Sequence, residues 1–85
     1  MQFSYDKVVN AIYIRFSNGN VSTTEEISEG IIVDYGLEDN NIIGVEILNF
    51  TKRKINLNEI IKLDSDEVIT KLLKRRKNPS KFNGI

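Results

Sequence analysis

Four carboxylates, Glu25, Glu26, Asp34 and Glu46, fall at strand-like intervals in the middle of the chain. Paired carboxylates can serve as general acid and base, or hold a divalent cation through oxygen ligands. Asp34 and Glu46 share a sheet face if their strands pair, which is the arrangement a metal-dependent hydrolase would use. A cation site built without His needs three or more converging oxygens, and spacing alone supplies two. The plainer reading is a solvated sheet face with Arg15 as the cross-strand partner of the acids. Tyr13 and Arg15 enlarge the group, because a guanidinium forks onto carboxylates and stacks on rings. Tyr13, Arg15, Asp34 and Glu46 therefore make either a recognition surface or an ion pair that fixes strand register.

A second chemistry lies downstream. Lys52-Arg53-Lys54 follows the last strand-like segment, and Lys71, Lys74, Arg75, Arg76, Lys77 and Lys81 crowd the end of the chain. Such a cluster can neutralise phosphates, with affinity that falls steeply in salt. Phe82 is the one ring after Phe50, so base-stacking platforms for single strands are not expected. The alternative is complementation of a helix dipole and of the acidic segment upstream.

Composition removes many other activities. The 85 residues include no Cys, no His and no Trp. That excludes a Ser-His-Asp triad, a Cys nucleophile, a His or Cys metal centre and a disulfide framework. Gly30, Gly36 and Gly44 open no helix followed by Lys-Ser/Thr, so no phosphate loop is present. No enzymatic activity and no cofactor are expected. Twelve Lys/Arg balance twelve Asp/Glu, but unevenly along the chain. Residues 1–50 hold two cations and eight carboxylates, net −6; residues 51–85 hold ten cations and four carboxylates, net +6. No apolar stretch approaches 18 residues, and the first residues show no basic then apolar leader, so a cytoplasmic protein with no membrane partner is expected.

The elements that must position these groups follow from periodicity. Residues 2–6 and 11–16 alternate in β-favouring types, with Ile12, Ile14 and Phe16 on one face and Ala11, Tyr13 and Arg15 on the other. Lys7 to Asn10 suits a hairpin connection, and Asn18-Gly19 suits a tight turn. Residues 21–28 alternate with a polar content typical of an edge strand. Ile31, Val33 and Tyr35 share a face, as do Ile43, Val45 and Ile47. Gly44, inside a strand, marks a bulge or a close approach by a covering helix. Five strands with short links predict an antiparallel meander over about 2–49.

The pattern then becomes helical. Asn56-Leu57-Asn58-Glu59 has the form of a capping box, and Asp64 to Glu67 is a second helix start. Val68, Ile69, Leu72 and Leu73 form one apolar stripe. The expectation is a small α+β domain over 1–78, with a five-stranded sheet, a short helix and a longer C-terminal helix within about 56–77. Residues 79–85, beginning with Pro79, are expected as a flexible tail. So small a core is marginal alone, which favours self-association as a homodimer or higher oligomer.

Five blocks of the first half carry a further resemblance. They are Tyr5-Asp6, Asn10-Ala11-Ile12-Tyr13-Ile14-Arg15-Phe16, Thr24-Glu25-Glu26, Gly30-Ile31-Ile32-Val33-Asp34-Tyr35 and Gly44-Val45-Glu46-Ile47-Leu48. In this order, over about residues 5–49, they resemble the bacterial and archaeal family known as domain of unknown function 2283. Asn10 departs from the Asp usual there, and Val8-Val9 replaces more polar residues. Tyr13, Arg15, Asp34 and Glu46 all occur in the family pattern. The resemblance implies a small β-rich domain with no assigned catalytic residue and an antitoxin-like role beside a small neighbouring protein. Together these readings lead to a non-enzymatic interaction module with Tyr13, Arg15, Glu25, Glu26, Glu29, Asp34 and Glu46 as contact surface. The alternative is nucleic-acid binding through Lys71, Lys74, Arg75, Arg76 and Lys77.

Overall fold

A computed structural model describes residues 1–74. Five strands, β1 (Gln2–Asp6), β2 (Ala11–Arg15), β3 (Val21–Ser28), β4 (Ile31–Gly36) and β5 (Ile42–Ile47), form one antiparallel sheet. A 3-10 turn at Phe50–Lys52 leads to helices α1 (Leu57–Ile60) and α2 (Ser65–Lys74). The small α+β class is as the periodicity predicts. Arg75, Arg76, Lys77 and the tail expected over 79–85 lie outside the described residues.

Strand order corrects the meander. The sheet runs β1-β2-β5-β4-β3, so the chain crosses from β2 to the far edge and returns through two hairpins, a Greek-key connection. The reason is polarity. A meander would place Val-Ser-Thr-Thr-Glu-Glu-Ile-Ser in the centre of the sheet, where both flanks are buried. Instead β5, with Ile42, Ile43, Val45 and Ile47, takes the place between β2 and β4, and β3 takes an edge. The Asn18-Gly19 turn does not close a hairpin. The amides of Phe16 and Ser17 donate to the Ile43 carbonyl at 2.7 and 3.2 Å, tying the crossover to β5. Neither Asn18 nor Gly19 has a positive φ. Left-handed residues occur elsewhere, at Asn10, Asp39, Asn40 and Asn49, where a short polar side chain tolerates that region.

The core lies on one side. Ile12 and Ile14 of β2, Ile31 and Val33 of β4, and Val45 and Ile47 of β5 meet Ile60, Val68 and Leu72 from the helices. Each such side chain contributes roughly 1.5–3 kcal/mol when fully buried. Ile43 is also fully buried but stands apart from this cluster. A register shift between Asp34 and Tyr35 gives Ile42 the core-facing place opposite Tyr35. Ile43 lies instead near Gly19 and Gly36.

Helix α2 starts with a reciprocal cap. The Glu67 amide donates to Asp64 Oδ1 at 2.8 Å, and the Asp64 amide donates to Glu67 Oε1 at 3.0 Å. At α1 the expected box does not form, although Asn56 still caps the helix through the N2 amide. Asn56 Oδ1 accepts from the Asn58 amide at 2.9 Å, while Glu59 pairs with Lys71 of α2 at 3.3 Å. Among the described residues, no helix is long and apolar enough to cross a membrane.

Candidate functional site

Both helices pack on the isoleucine-valine side, so among the described residues the opposite side of the sheet carries no helix. Strand pairing lays two rows across this open face. Arg15 of β2, Gly44 of β5, Asp34 of β4 and Thr24 of β3 are successive cross-strand neighbours. Tyr13, Glu46, Ile32 and Glu26 form the next row. Four of the seven expected surface residues, Tyr13, Arg15, Asp34 and Glu46, are therefore brought together and are half-buried. Glu26 shares the face, but its carboxylate accepts from the Gly30 amide at 2.8 Å and holds the β3–β4 turn.

Glu25 does not join them. It stands opposite Val33, hence on the helix side of an exposed edge, because residues alternate across a strand. Glu29 lies in the β3–β4 turn, where its carbonyl accepts from Arg53 Nη2 at 2.8 Å. Arg53 Nε also donates to the Leu48 carbonyl, at 2.5 Å. Arg53 is thus tied to turn backbone, a place not foreseen for the Lys52-Arg53-Lys54 run.

Gly44 organises the open face. With no side chain there, the Tyr13 ring lies across the Gly44 backbone, and a Cβ at Gly44 would overlap Oη and Cζ of Tyr13. The close approach expected at this glycine is thus made by a ring on the open face, not by a covering helix. Reaching over the gap, Tyr13 Oη donates to Asp34 Oδ2 at 2.8 Å. Thr24 Oγ1 donates to Asp34 Oδ1 at 2.6 Å, so both carboxylate oxygens are held. Burial pushes the Tyr13 phenol up to about 12, and the Asp34 hydrogen bond, the Asp34 charge and the Glu46 charge add to it against Arg15. Arg15 does not fork onto a carboxylate; its Nη2 donates to the Gly19 carbonyl at 3.1 Å and fastens the crossover. The register is therefore marked by a Tyr–Asp–Thr network in place of an Arg–carboxylate pair.

Thr24 was not foreseen as part of this group. Its place depends on a register shift between Glu26 and Ser28. Counting back from the Glu29-Gly30 turn without that shift sets Thr24 against Tyr35 and turns it to the other face. Among the described residues, no group of three or more His, Cys, Asp or Glu is placed to hold a metal ion. Asp34 and Glu46 share the face as a pair only.

Residues 2–50 match the family model described as Protein of unknown function (DUF2283). The chain belongs to this family. No curated protein and no solved structure matches the chain. The DUF2283 segment spans all five strands and the whole Tyr13–Asp34–Thr24 network. Helices α1 and α2, which supply Ile60, Val68 and Leu72 to the core, lie beyond it. The basic residues are divided in the same way. Lys71 is paired with Glu59, Lys74 ends α2, and Arg75, Arg76 and Lys77 lie outside the described residues.

Proposed function

We propose that this DUF2283 protein is a non-enzymatic interaction module whose open sheet face receives a small basic protein, as an antitoxin receives its partner. The observation that carries this reading is the organised acidic face, in which Tyr13 and Thr24 fix both oxygens of Asp34 beside Glu46. On this face Glu26, Asp34 and Glu46 outnumber the one cation of the two rows, Arg15. A net acidic surface steers a basic partner and repels acidic ones. The Tyr13 shift also runs away from neutrality, opposite to what proton transfer at neutral pH requires. A cytoplasmic setting belongs to the same proposal.

The test is a native pull-down followed by titration of the captured adjacent-gene product against the purified chain. The expected result is a complex that weakens with salt and loses at least about tenfold in affinity in the Asp34→Asn/Glu46→Gln double variant. Purification of the chain as a lone species, or equal binding by the double variant, overturns the reading.

A further inference from the structure

The sheet ends in two edges of different construction. At one edge, β3 is eight residues long, carries Glu25 and Glu26, and shows register shifts between Val21 and Thr23 and between Glu26 and Ser28. Bulges and charges are the usual guards against edge-to-edge pairing. At the other edge, β1 pairs with β2 through five consecutive residues without any shift. Its sequence, Gln-Phe-Ser-Tyr-Asp, holds no Lys, no Pro and no Gly, and all five residues are exposed. Phe3 and Tyr5 stand opposite Ile14 and Ile12, on the helix side of the sheet, yet remain 37% and 49% exposed. Tyr5 continues inward to Phe50 in an edge-to-face contact with ring centroids 6.2 Å apart. Val8 and Val9, in the turn after β1, are exposed at the end of the same edge.

From this construction we propose that β1 is a homodimer seam, on which a second copy of the chain adds its own β1 in antiparallel pairing. The strand is complementary to itself. A two-fold axis at Ser4 sets Phe3 against the partner's Tyr5, and Tyr5 against the partner's Phe3. The same register sets Gln2 against the partner's Asp6, so Asp6, the one charge of β1, does not oppose its own copy. Cross-strand ring pairs stabilise such a ladder, and like charges directly opposite weaken it. The same operation at β3 would bring the Glu25-Glu26 pairs of two copies onto one seam. Because the axis stands perpendicular to the sheet, helices of both copies fall on one side. The two open faces then join into one continuous surface on the other side.

Ser4 lies at the axis on the open face, opposite Tyr13, and is exposed, so charge placed there acts mainly across the seam. Sedimentation equilibrium of the full chain at about 100 µM, a range suited to a micromolar dimer, is expected to give twice the 9.8 kDa chain mass. Ser4→Lys and Ser4→Glu, each shown folded by circular dichroism, are each expected to sediment as monomers. Mixing the two is expected to restore the dimer, since opposite charges then face each other. Glu25→Lys at the other edge is expected to leave the dimer intact. A monomeric wild type, a Ser4→Lys protein that stays dimeric, or a mixture that stays monomeric overturns the proposal.

Discussion

The two faces of the sheet are made from alternate residues of the same strands and are held by different physics. On the covered face, Ile14, Val33, Val45 and Ile47 have no exposed surface and share one core cluster with Val68 of α2. No buried polar or charged side chain occurs among the described residues. On the open face, one glycine gap admits a ring, and the ring and a threonine fix a carboxylate. The covered face is nondirectional and costs stability in proportion to volume removed. The open face is directional, so small changes of atom position matter there more than volume. The first face specifies the fold, and the second is available for recognition.

The largest effect is expected from breaking the covered face. Ile14→Ala removes a fully buried side chain from the strand next to the centre of the sheet, at an expected cost of about 2–5 kcal/mol. Urea denaturation would show the lowered midpoint; a loss below about 1 kcal/mol would mean that the site collapses freely around the gap.

A smaller effect is expected from filling the gap on the open face. The Cβ of a Gly44→Ala variant occupies the space of Tyr13 Oη and Cζ, so the ring must move and release Asp34. Overpacking of this kind costs about 1–3 kcal/mol. The phenol titration followed by ultraviolet absorbance should also fall from about 12 toward the ordinary value of 10.0. An unchanged titration would show that the glycine gap does not place the ring.

The covered face is far more legible in the sequence than the open one. Ile12 and Ile14, Ile31 and Val33, and Val45 and Ile47 each sit two apart, and alternation alone assigns them to one side. The edge place of β3 is equally legible from its polar composition, and it contradicts the meander that the short links invite. Three further features depend on contacts distant in sequence. Asn18-Gly19 reads as a hairpin turn, but the Ile43 carbonyl, more than 20 residues away, decides the path. Asn56/Glu59 and Asp64/Glu67 have the same spacing, and Lys71 decides that only the second closes reciprocally. Bulges in β3 and between Asp34 and Tyr35 decide which face Thr24, Glu25 and Ile43 occupy. The bulges of β3 have no compositional mark, because each inserts one ordinary residue into an otherwise alternating pattern, whereas the extra residue of β5, Ile43, stands beside the glycine that marks it, Gly44.

The smallest predicted change isolates the network itself. Tyr13→Phe keeps the ring over Gly44 and removes the bond to Asp34, at an expected cost of about 0.5–1.5 kcal/mol at neutral pH. The pH dependence tells whether that bond or the ring alone is responsible. An unfolded tyrosine releases its proton near 10.0, whereas native Tyr13 holds it to about 12. Between these values the unfolded state binds fewer protons than the native state, so stability falls as pH rises through the window. The phenylalanine variant lacks this group and escapes that part of the fall. The gap between wild type and variant, read from denaturant midpoints, should therefore be constant below about pH 10, then close and reverse sign before about pH 12. The other titrating groups are common to both proteins and cancel in the difference. A gap that stayed constant through pH 12 would mean that Tyr13 titrates alike in both states, and that the open face is solvated rather than organised.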